Sequence, residues 1–200
     1  MASDTETHPR DRLLETASRL FYAEGIHAVG VERLVKEASV TKATFYRHFP
    51  AKDDLVAAYL TTTRDGIRER VIAAQEGKDA AEALLAVIAV IGDATSAEDF
   101  RGCEFLNAAA EYPDPRNRVR GVIDEHRTWL HGVLADLTRR LGHPDPEYAA
   151  RALILLVDGA LQGGQFDADT RSVLLRAAAD VVGLPATDTA QSSVASGDGR

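Results

Sequence analysis

Apolar residues in this 200-residue chain recur every three or four positions from near one end to near the other, the period of a helix with one face turned inward. β-branched residues hardly ever alternate with polar ones, and no Asn-Gly or Asp-Gly turn joins two such runs, so strand signals are nearly absent. An all-α fold of about nine helices follows. In the first helix Leu13, Ala17, Leu20 and Phe21 share a face, Pro9 suits the opening turn and Gly25 the stop. A second, 31–38, sets Val31, Leu34, Val35 and Ala38 on one side, and a third, about 41–49, follows after only Ser39 and Val40. Its N-cap is Ser39 or Thr41, and Pro50 lies beyond its end. The fourth is long, about 52–76, with Leu55, Val56, Tyr59, Leu60, Thr63, Ile67 and Val71 as its inward stripe and Gly77 as its stop. A fifth, 79–92, is apolar nearly all round and so is expected to be buried. Helices over 103–111, 116–141, 146–163 and 170–182 complete the set, and the small polar residues after Pro185 read as a disordered tail.

Composition narrows the class. Apolar residues are 45% and charged residues 27% of the chain, the balance of a soluble globular protein able to bury a core without staples. The net charge is −8, which excludes a uniformly basic coat for nucleic acid but leaves room for a local basic patch. A single cysteine, Cys103, forms no internal disulfide and rules out a zinc site needing two thiolates. The longest apolar run, 83–91, is far short of the roughly 20 residues that span a bilayer. The first residues (Ser3, Asp4, Thr5, Glu6) are polar and give no secretory signal, so a cytoplasmic protein with no membrane partner is expected.

The informative stretch is Val31 to Lys52, VERLVKEASVTKATFYRHFPAK. Two short helices joined by a tight turn make a helix-turn-helix, whose second helix can enter the major groove of duplex DNA. Phe45 and Phe49, one turn apart, are expected to pack on Val31, Leu34 and Val35, which leaves Lys42, Ala43, Tyr46 and Arg47 facing solvent. Between Ser39 and Lys52 stand three cations (Lys42, Arg47, Lys52), the titratable His48 and no acid, so the segment carries +3 and the rest of the chain −11. Such a molecule orients its one basic patch toward a polyanion and repels it elsewhere.

The stretch Gly25 to Val56, GIHAVGVERLVKEASVTKATFYRHFPAKDDLV, with its Tyr46…His48-Phe49…Lys52 finish, resembles the TetR family of bacterial transcriptional regulators. The close match covers about 50 residues. The resemblance implies a three-helix DNA-binding domain over 1–51, a helical ligand-binding and dimerisation domain over 52–184, and a tail over 185–200. It places Lys42, Ala43 and Arg47 toward base edges, Arg47 being able to pair with guanine through two hydrogen bonds. Thr41, Thr44, Tyr46, His48 and Lys52 match positions that hold phosphates, Lys52 lying near the N-terminus of the fourth helix, where the dipole also favours anions. Two departures stand out. Gly30 replaces a Thr or Ser that often caps the second helix, and Ala43 replaces a frequent glycine.

One helix-turn-helix reads a few base pairs, so specific binding calls for a dimer on a near-palindrome. The eighth and ninth helices are the expected dimer surface. Ala149, Ala152, Leu153, Leu156, Ala160 and Leu161 form an apolar stripe on one, beside Gly159. Val173, Leu174, Ala177, Val181 and Val182 form the other. A small-molecule effector lodged among helices four to seven would tilt the fourth and change the half-site spacing. Phe105, Asn107, Tyr112, His126, Trp129 and Gln162 are the lining residues that amphipathicity suggests. Cys103 reads as a buried small hydrophobe or a redox-sensing thiol.

No cofactor or metal is expected. His126 and His131 are five apart, not the i, i+4 of a helical zinc pair. The pair of Glu-x-x-His motifs of a di-iron bundle is missing. Gly163-Gly164 follows a helix, which fits a C-terminal cap and not a phosphate loop. The expectation is a DNA-binding repressor released from a palindromic operator by a small molecule. The alternative is an all-α binding or adaptor protein with a vestigial helix-turn-helix. A helical enzyme has no nucleophile-base constellation behind it.

Overall fold

A computed structural model describes residues 8–185 and is helical throughout. In order these are α1 (Pro9–Glu24), α2 (Val31–Glu37), α3 (Lys42–His48), α4 (Lys52–Gln75), α5 (Ala80–Asp93), α6 (Glu104–Glu111), α7 (Arg118–Arg140), α8 (Pro146–Gly163) and α9 (Thr170–Val181). A 3-10 turn, Ala94–Ser96, extends α5. The expected tail falls outside the described residues from 186 onward, as do Ser3, Asp4, Thr5 and Glu6.

Side-chain caps set most of the boundaries. Thr41, not Ser39, caps α3: its Oγ1 accepts from the Thr44 N–H at 3.1 Å, while Ser39 sits in the turn at φ 52°. Asn117 starts α7 two residues later than expected, its Oδ1 accepting from the Val119 N–H at 2.8 Å. Asp79 caps α5 by accepting from the N–H groups of Ala81 and Glu82, both at 2.9 Å. Gly25 turns the chain out of α1 at φ 92°, a conformation that a side chain disfavours. Gly164 ends α8 for another reason. Its backbone is right-handed (φ −60°), and a Cβ there would stand 2.8 Å from that of Thr95. The glycine is needed for close approach and not for a left-handed cap.

Two apolar clusters hold the molecule. The first joins α1, α2 and α3 to the opening half of α4 and also takes in Phe105, Ala108 and Tyr112 of the α6 region and Val119 and Ile123 of α7. Phe45 is fully buried in it and Phe49 nearly so, each worth about 2 kcal/mol or more of apolar transfer. The second gathers α5, the later turns of α7, α8 and α9 around Val71. Helix α4 runs through both, with Leu55, Val56, Tyr59 and Leu60 in one and Val71 in the other.

The expected dimer stripe needs correction. Ala149, Leu153, Leu174 and Val182 are buried within their own chain, because α8 and α9 must first pack on α7 and α5. The apolar residues left outside are Tyr148, Leu155, Phe166 and Val173, at 66%, 72%, 83% and 58% exposure. On α8, Tyr148, Ala152, Leu155 and Gly159 follow one another at helical spacing.

Candidate functional site

Helix α3 is a short rod anchored by its aromatic side. Phe45 faces the core, with the Phe49 ring 6.2 Å away and the Tyr46 ring edge-on at 5.1 Å. The opposite side is open: Lys42, Ala43, Tyr46 and Arg47 are all exposed. Lys42 Nζ donates to Glu32 on α2 at 2.7 Å, an exchangeable surface pair that a phosphate can displace. Arg47 has no ion-pair partner among the described residues. Thr41 and Thr44 bring their hydroxyls within 3.0 Å of each other at the start of the rod.

His48 and Lys52 sit differently. The His48 Nε2 is buried without a partner, and burial, together with Arg47, lowers its pKa. Its ring meets His8 edge-on at 5.3 Å. Lys52 turns inward, donating to the Ile26 carbonyl at 2.5 Å and lying 5.7 Å from the centre of the Phe21 ring. Burial lowers its pKa, against the pull of Glu111 and Asp53. Sequence reasoning passed over Arg10, whose guanidinium lies 5.5 Å from the Phe49 ring centre and extends the basic edge from α1.

The loop between α1 and α2 is tied to the last turn of α6. Glu111 accepts from the Ile26 N–H at 2.8 Å, from the His27 N–H at 2.6 Å and meets His27 Nδ1 at 2.8 Å. Burial would raise the pKa of Glu111, but these donors carry it below its ordinary value. An acid in the last turn of a helix opposes the helix dipole; that mismatch is the sequence signal for a partner from elsewhere. Next to it the Tyr112 hydroxyl donates to Asp53 at 2.9 Å, Asn117 donates to the same carboxylate at 3.0 Å, and Arg118 pairs with Asp54. The first turn of α4 is therefore held by α6 and α7 together.

Two cavities lie against α6, the second reaching the Glu111 clamp. One, of about 260 Å³, is enclosed by α4, α5, α7, α8 and the 97–104 segment and is lined by His126, Cys103 and Arg70 among apolar residues. The second, of about 310 Å³, is lined by Asn107, Gln162, Glu111 and Arg101. Tyr22 and Glu104 line both. Of the six residues suggested for a pocket, His126 lines the first and Asn107 and Gln162 the second. Phe105 is core, stacked on His126 at 3.9 Å. Trp129 lies under the Arg68 guanidinium at 5.2 Å, and Tyr112 lies in the clamp just described.

His126 is 6% exposed, and its Nδ1 has no partner. Burial, then the charges of Arg68, Arg127 and Arg64, push its pKa down to about 4, so the imidazole is neutral at pH 7. Burial likewise pushes the Cys103 thiol up to about 11, which suits an unreactive thiol and not a poised sensor. Among the described residues no group of histidines, cysteines and carboxylates could hold a metal, and no helix is long and apolar enough to cross a membrane.

The sequence profile "Bacterial regulatory proteins, tetR family" matches residues 13–59. The crystal structure of SCO4454, a TetR-family transcriptional regulator from Streptomyces coelicolor, is similar over 87% of this chain and 94% of that one, at 44% identity and a TM-score of 0.84. A putative TetR transcriptional regulator from Streptomyces avermitilis (sav143) is similar over 90% of this chain and 100% of that one, at 31% identity and a TM-score of 0.76. The HTH-type transcriptional regulator LmrA of Bacillus subtilis is 26% identical over 159 residues, 78% of this chain and 83% of that protein.

Proposed function

Since the chain belongs to the TetR family and is a helix-turn-helix DNA-binding transcriptional regulator, we propose that it is a homodimeric repressor released from a palindromic operator by a small molecule. Residues 1–51 form the reading domain, and 52–184 the ligand-binding and dimerisation domain. Lys42, Ala43 and Arg47 meet base edges. Thr41, Thr44, Tyr46, His48 and Lys52 meet phosphates, Lys52 leaving the Ile26 carbonyl to do so. Two copies join through α8 and α9, with Tyr148, Leu155 and Val173 in the seam. These faces set two α3 rods in successive major grooves, roughly 34–36 Å or a multiple apart.

The observation that carries ligand control is the position of α6. It walls both cavities, and in and just after its last turn it grips the loop between α1 and α2 through Glu111 and the start of α4 through Tyr112. A molecule that binds more tightly when α6 is displaced shifts the population toward a spacing the operator does not accept.

Selection of genomic fragments by the purified chain tests the reading, and recovery of one palindrome is the expected result. Affinity for it should fall steeply with salt as phosphate counterions are restored. Arg47→Ala should relax preference at one base pair, whereas Lys52→Ala should weaken all sequences alike and lower the salt slope by about 1. An adaptor with a vestigial helix-turn-helix would retain no duplex at all.

A further inference from the structure

The two cavities meet at Glu104, in the first turn of α6. The carboxylate has no ion-pair partner among the described residues, and its pKa is raised by burial, against the pull of its own N–H and of Arg70. The charged groups around the 260 Å³ cavity are Glu104, half-buried, and Asp99 and Arg70, both exposed, so the lining is net negative by one. The rest of the wall is hydrocarbon, chiefly Ile67, Val90, Ile91, Leu130, Val157 and Leu161. The other polar groups are already used or neutral. The Tyr22 hydroxyl accepts from the Arg101 N–H at 2.7 Å and donates to the Gly102 carbonyl at 3.1 Å. His126 presents an unpartnered, fully enclosed Nδ1 on an imidazole that stays uncharged.

A carboxylate among hydrocarbon groups is costly unless a cation meets it. An anionic ligand would be repelled by Glu104 and Asp99 and would leave that cost unmet. A ligand with an apolar body and a protonated nitrogen answers it, since its hydrocarbon meets the apolar wall and its N–H groups can donate to Glu104. We propose that the effector is a lipophilic amine, bound as its cation with Glu104 as counter-charge. This inference rests on the ligand-released reading above.

Three probes of one shape and different charge test it on the full chain: phenylbutylamine, phenylbutanol and phenylbutyrate, followed by calorimetry and by the fluorescence of the single tryptophan, Trp129. The amine should bind at least about tenfold more tightly than the alcohol, with the carboxylate weakest. Glu104→Gln should erase the advantage of the amine over the alcohol, and Glu104→Asp, which keeps the charge, should preserve it. The assignment is overturned if the amine does not bind at millimolar concentration, if the carboxylate binds as tightly, or if Glu104→Gln holds the amine as well as the parent does. Operator retention is measured alongside. Amine bound through Glu104 that leaves operator affinity untouched overturns the ligand-released reading and upholds the ligand class. Release by phenylbutyrate does the reverse.

Discussion

Around α3 the apolar groups are inside and the charged ones outside, whereas around α6 and α7 polar groups lie indoors. Phe45 and Phe49 are buried while Lys42, Tyr46 and Arg47 stand in solvent. In the body, His126 Nδ1, Arg68 Nε and Arg120 Nε are enclosed without partners, and Glu104 lines two cavities. The reading helices resemble a tool held by its handle, with stability and recognition assigned to different residues. Under the proposed ligand release, the body places both on the same residues, so effector binding is bound up with how firmly it is folded. His48, with its own orphan Nε2, is the exception in the reading region.

This contrast can be broken by experiment. Phe45→Ala removes a fully buried ring and should lower the unfolding free energy by about 3–5 kcal/mol, read from urea titration. The next effect belongs to the body. The unfolded chain protonates a histidine near pH 6.5, but folded His126 does so only near 4. The stability it contributes is complete above 6.5 and drains away as the pH falls through that window, by up to about 3 kcal/mol. His126→Phe keeps a ring against Phe105 and should remove that slope from a plot of unfolding free energy against pH. Arg47→Ala should cost about 1–3 kcal/mol of operator discrimination while leaving the melting temperature unchanged; a matching loss of stability would end the separation of tasks. Smallest is Gly30→Ser. Nothing lies within 4 Å of a Cβ built there, and α2 has no side-chain cap. A serine should add a few tenths of a kcal/mol and one phosphate contact, seen as a slightly steeper salt slope of operator binding.

Local sequence is enough for features that depend on near neighbours. The helices, the buried Phe45 and the outward Arg47 all follow from spacing within one or two turns, whereas spacing leaves the α3 cap open between Ser39 and Thr41. Asn117 moves the start of α7 to Arg118 by capping it, its side chain accepting from the Val119 N–H. Other features need the third dimension. Tyr22, Arg70 and Glu104 are far apart along the chain and meet only when α1, α4 and α6 close around a cavity. A stripe such as Ala149, Ala152 and Leu153 does not say which of two apolar neighbours will cover it; the chain's own α7 takes Ala149 and Leu153, while Ala152 stays at the surface. Lys52 reads as a surface cation, yet the Ile26 carbonyl draws it inward.

The division of labour along α6 has a consequence for how such regulators diversify. Its attachments to the α1–α2 loop and to the start of α4 are concentrated at Glu111 and Tyr112, in and just after the last turn, while Cys103 and Glu104 face the 260 Å³ cavity from the opposite end. Under the proposed release by a ligand, substitutions at the front of this one helix change what is sensed while the grip at its back is inherited intact. A gene copy could therefore acquire a new chemical cue within a few mutations and keep its ancestral address on the chromosome.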